Sequence, residues 1–112
     1  MAEFLFVKKE VNIINKIDQE FMKVKNIVGS SRFAKPSGYN SWLDYWVAQK
    51  GYKPTYCSES TCLGTQLVGA HVQKVDSTDQ KWYIVPLCSS CNQRTDTFDI
   101  PADKLVPVPS NL

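Results

Sequence analysis

The stretch CSESTCLGTQLVGAHVQKVDSTDQKWYIVPLCSSCNQRTD, residues 57–96, carries all four cysteines and the single histidine of the 112-residue chain. Cys57 and Cys62 stand five apart and Cys88 and Cys91 three apart. Two such pairs, each on a tight turn, can bring four thiolates tetrahedrally onto one zinc ion, with Zn–S distances of about 2.3 Å. Four sulfur ligands close the coordination sphere, so the expected role is structural, worth on the order of 10 kcal/mol of folding free energy. The pair-then-pair spacing favours metal over two disulfides.

Between the pairs, QLVGAHVQKV and KWYIVPL are β-branched and aromatic runs separated by DSTDQ, which has turn chemistry. They predict two antiparallel strands of one hairpin. A short helix is expected after CSSCNQR. The tail TFDIPADKLVPVPSNL, with three prolines among apolar residues, predicts an edge strand.

Upstream the texture is helical. Val7, Val11, Ile14, Ile17, Phe21, Val24 and Val28 recur in steps of three and four, predicting a long amphipathic helix over 6–28 that Gly29 ends. Ser30 to Asn40 reads as a loop. NSWLDYWVAQKG predicts a second helix, with Asn40 or Ser41 as cap, Asp44 in its first turn and Gly51 after its last lysine. The fold expected is therefore α+β: two N-terminal helices (residues 1–56) followed by a small zinc-stabilised β-hairpin plus short helix (residues 57–112), forming one compact domain.

Residues 1–56 hold nine Lys and Arg against five acids, and residues 57–112 four against six. A basic N-terminal half fits contact with phosphates and equally a solvated helix face. No apolar run reaches the ~20 residues of a membrane span, and the opening MAEFLFVKKEV is too short for a secretory signal. An intracellular protein, cytoplasmic or nuclear, is expected. The broad stripe of the first helix also suits packing against a second copy, a homodimer.

A cysteine pair, a hairpin whose first strand bears AHV, and IVPLCSSCN leading into a helix together resemble the HNH or His-Me finger (ββα-metal) endonucleases over residues 57 to about 97. The resemblance implies that His71 is the general base taking a proton from the attacking water, and that Asn92 is a helix-borne ligand of a catalytic Mg²⁺ or Mn²⁺. The junction-resolving phage members of that family share the CN dipeptide. Two positions depart from the pattern: Ala70 stands where a metal-binding Asp is common, and Tyr83 where an Asn orients the base. If the short helix continues to Asp96, that carboxylate shares a face with Asn92 and replaces the missing ligand. Asp76 and Asp79 are the alternative carboxylates, and Lys74 and Arg94 are candidate phosphate contacts. Two functions from different classes follow: a metal-dependent endonuclease acting on nucleic acid, with DNA favoured, or a zinc module without chemistry that binds DNA, RNA or a protein partner.

Overall fold

The computed structural model describes residues 20–27, 29 and 35–109. Five strands form one antiparallel sheet in the order β4-β1-β2-β3-β5. These are β1 (Phe21–Asn26), β2 (Leu67–Lys74), β3 (Trp82–Cys88), β4 (Phe98–Pro101) and β5 (Val106–Pro107). Two α-helices, α1 (Trp42–Lys50) and α2 (Ser89–Asn92), and a 3₁₀ turn (Ala102–Lys104) complete the described residues.

The hairpin forms where the sequence predicts it. β2 pairs with β3 from Leu67↔Cys88 to Gln73↔Trp82. Its loop is braced by its own polar residues, with the Asp79 amide donating to Ser77 Oγ (3.0 Å) and the Lys81 amide to Asp79 Oδ1 (2.9 Å). The proline-containing tail supplies an edge strand, β4, with Phe98 and Ile100 buried. It supplies the opposite edge as well, where β5 pairs with β3.

The N-terminal half departs from expectation. The expected pair of N-terminal helices is not seen: residues 21–26 form a strand, only the second helix forms, and the described residues are mostly β rather than two helices followed by a hairpin. Within FMKVKN the apolar Met22 and Val24 alternate with Lys23 and Lys25, a period of two lying inside the longer 3.6-residue stripe. The strand period wins because β1 lies between two partners. It pairs with β2 through Val24↔Lys74 and with β4 through Phe21↔Pro101, so its backbone groups are used on both sides. Residues 6–19 of the expected helix, and with them most of the expected dimer face, lie outside the described residues.

The second predicted helix is present with its caps. Ser41 Oγ accepts from the Asp44 amide (3.0 Å), and Gly51, at φ 85°, ends the helix by donating to the Val47 carbonyl (2.7 Å). The start of α1 lies directly over Gly69 of β2. A Cβ there would come within 2.5 Å of the Leu43 nitrogen and 2.6 Å of the Trp42 carbonyl carbon, so only glycine permits the approach. Among the described residues no helix is long and apolar enough to cross a membrane.

Because side chains alternate along a strand, the two faces of the sheet carry separate cores. One contains Val24, Ala70, Val72, Val85, Leu87, Phe98 and Ile100 together with Cys57 and Cys91. The other contains Trp42 and Trp46 of α1, Ile84 and Val106.

Candidate metal centre

The first cysteine pair lies on a loop closed on itself and tied to two strands. The Cys57 amide donates to the Gly64 carbonyl (2.8 Å), Ser58 to Pro86 of β3 (2.9 Å), and Ser60 to Asp99 of β4 (3.0 Å). Inside the loop Glu59 Oε1 accepts from both the amide and the hydroxyl of Thr61, each at 2.8 Å, and the Cys62 amide donates to the Glu59 carbonyl (3.0 Å). The second pair spans the end of β3 and α2. Asn26 of β1 fixes it, its Nδ2 donating to the carbonyls of Cys91 and Arg94, both at 2.9 Å. Arg94 joins the two halves through an ion pair with Glu59 (3.5 Å).

The four Sγ atoms of Cys57, Cys62, Cys88 and Cys91 all lie within 4.8 Å of one another, and none is in a disulfide. The group can hold a metal ion. Sulfurs about 2.3 Å from a tetrahedral ion are about 3.8 Å apart. Cys62 and Cys88 already stand at 3.7 Å, and closing the rest onto an ion takes movements of no more than about 1 Å. Two backbone amides point at sulfur, Cys88 at Cys57 Sγ (3.3 Å) and Gly64 at Cys62 Sγ (3.4 Å), as donors that stabilise thiolate ligands do. Gly64 is required by the crowding: a Cβ there would meet Cys88 Cβ at 2.9 Å and Cys88 Sγ at 3.2 Å.

The thiols differ in acidity. A hydrogen bond from the Cys91 backbone leads the effects that lower Cys88 to about 7, whereas burial pushes Cys57 and Cys91 up. Buried thiols with so little solvent ionise only against a compensating cation, and a divalent metal is one.

His71 lies elsewhere. Its neighbours in sequence, Ala70 and Val72, pack in the cysteine-side core. Its own ring faces α1, edge-on to Trp42 with centroids 5.0 Å apart and to Trp82 at 6.2 Å. The residue is 6% exposed, and burial lowers its pKa below the usual imidazole value. Asn92 is exposed at the last position of α2, on the cysteine side of the sheet where Asn26 grips the end of that helix. The hairpin thus separates His71 from Asn92. The helix stops at Asn92 instead of continuing to Asp96. Asp96 is exposed and held by Arg94 in a two-pronged contact (2.8 and 2.6 Å), which lowers its pKa to about 2.

The candidate phosphate contacts are both engaged within the chain. Arg94 bonds Asp96, pairs with Glu59 and lies 5.0 Å from the Phe98 ring centroid. Lys74 pairs with Asp79 (3.1 Å) and lies over the Tyr83 ring. Tyr83 is buried against the cysteine-side core and donates its hydroxyl to Asp79, the first cause of that carboxyl's drop to about 2. Asp76 takes the left-handed position of the hairpin loop, at φ 58°.

Sequence reasoning missed Glu59, Gly64 and Asn26. A glutamate inside the first pair and a glycine two residues after it were visible signals. Asn26 was not, because its partners lie 65 and 68 residues away.

No family model matches this chain, and the searches of curated proteins and of solved structures find no match either.

Proposed function

We propose that the chain is a small binding module built around one structural zinc ion held by Cys57, Cys62, Cys88 and Cys91. The observation that carries this reading is the convergence of four sulfurs within 4.8 Å, two from a loop tied to the sheet and two from the junction of β3 and α2. An all-thiolate donor set favours zinc over the hard cations that prefer oxygen, and four ligands leave no open position for chemistry at the metal. A reducing compartment, cytoplasm or nucleus, keeps such thiols available.

The module reading is preferred over an HNH-type nuclease because a general base must reach its water beside the catalytic metal. His71 packs between two tryptophans, and Asn92 sits across the sheet from it. Nucleic acid is the partner favoured for the module.

Metal analysis of the purified chain should give one zinc per chain, and plasmid and branched-DNA assays with Mg²⁺ or Mn²⁺ should give no cleavage. Cleavage by the wild type that disappears in His71→Ala, with zinc retained, would reinstate the nuclease. A folded chain lacking metal would remove the zinc module.

A further inference from the structure

We infer that the cleft beside the first cysteine pair binds single-stranded nucleic acid. The inference rests on the binding-module reading above and gives that module its partner surface.

The cleft is about 420 Å³, within the range of roughly 300–1,000 Å³ usual for ligand sites. Phe21, Tyr52 and Tyr56 line it, 53%, 45% and 53% exposed. They are three of the five large apolar side chains left exposed among the described residues, gathered at one place. Exposed rings gathered in this way offer flat faces to a ligand.

The charge of the cleft selects among ligands. Lys53 and Lys104 line it. Lys104 is held in place by donating to the Tyr52 hydroxyl (2.8 Å) and by lying 5.1 Å from that ring's centroid. An ammonium has three N–H groups, so donors remain for a phosphate. The one carboxylate lining the cleft, Glu59, is 8% exposed, with its oxygens committed to Thr61 and Arg94. Stacking faces interleaved with cations, and no available acid, match a strand whose bases are unstacked and whose backbone is anionic. A duplex keeps its bases stacked and cannot offer them to these rings. An acidic peptide would use the lysines and leave the ring faces of Phe21 and Tyr56 unmatched.

The test is fluorescence anisotropy on the zinc-loaded full chain, using labelled DNA and RNA single strands of about 12 nucleotides and a matching duplex. The single strands should bind more tightly than the duplex and weaken between about 50 and about 200 mM salt. Tyr56→Ala should weaken binding about 5- to 100-fold, as loss of one stacking face does. Lys53→Gln should lower the salt slope by about 0.7. Both variants should keep the zinc content and melting temperature of the wild type, since both residues are exposed.

Absence of single-strand binding by a folded, zinc-loaded chain would overturn the inference and leave the zinc module standing. Preference for duplex, displacement by an acidic peptide as effective as by oligonucleotide, or indifference to both substitutions would overturn it too. A chain without zinc would overturn the module reading, and the inference with it.

Discussion

The two faces of the β2–β3 hairpin are built from the same two strands, yet they are held by different physics. On one face Ala70, Val72, Val85 and Leu87 pack beside four sulfurs brought together from a loop and from the junction of β3 and α2. On the other, His71 and Ile84 lie under the tryptophans of a capped helix seated on Gly69. The first is the larger core, mostly aliphatic with Phe98 and Tyr83 added, and the cysteine group at its edge can be tied together by an ion. The second buries large aromatic surface and depends on shape. A small domain with a modest core gains from having both.

The comparison is broken most severely at the cysteines. Cys57→Ser or Cys91→Ser, or removal of metal with a chelator, should eliminate on the order of 10 kcal/mol of coupled binding and folding energy. The expected outcome is loss of the folded circular-dichroism signal together with loss of zinc. Retention of a cooperative thermal transition without metal would make the cysteine face self-sufficient.

On the helix face the expected loss is smaller. Trp46 is fully buried, with its indole N–H donating to the Lys104 carbonyl (2.7 Å). Trp46→Ala should cost about 3–5 kcal/mol in chemical denaturation. Zinc should still bind one per chain below the lowered melting temperature. Loss of zinc by this variant while folded would mean that the two faces are not separable.

His71 offers a finer probe of the same face. Its folded-state pKa lies below the ordinary 6.5, through burial. Below pH 6.5 the unfolded chain therefore binds a proton that the native chain does not. Stability falls as pH drops from about 6.5 toward the depressed folded value, by at most about 1.4 kcal/mol per pH unit. Denaturation of wild type and His71→Gln between pH 7 and 5, with zinc content monitored, should show a steeper loss for the wild type. Parallel curves would mean that the imidazole titrates alike in both states.

The smallest effect is expected at the rim. Arg94 and Asp96 form a well-aligned pair, but the Asp96 side chain is 62% exposed, so Asp96→Asn should change stability by less than about 1 kcal/mol. A larger loss would show that Arg94 needs Asp96 to hold its position between Glu59 and the second cysteine pair.

Much of this was legible in one dimension because its causes are local. Cysteine spacing, the β-branched and aromatic runs QLVGAHVQKV and KWYIVPL, and the caps Ser41 and Gly51 each act within a few residues, and each appears where the sequence predicts it. What tertiary structure alone decided has distant causes. Residues 21–26 carry apolar spacings compatible with helix and with strand. They become a strand because β2 and β4, 40 and more residues away in sequence, present the edges that β1 fills. The placement of His71 follows the same logic: alternation put it on the face opposite Ala70 and Val72, and the packing of α1 over Gly69 made that face the tryptophan side instead of the metal side. The residue types gave a histidine near cysteines, and only the sheet, by turning successive side chains to opposite faces, separated them.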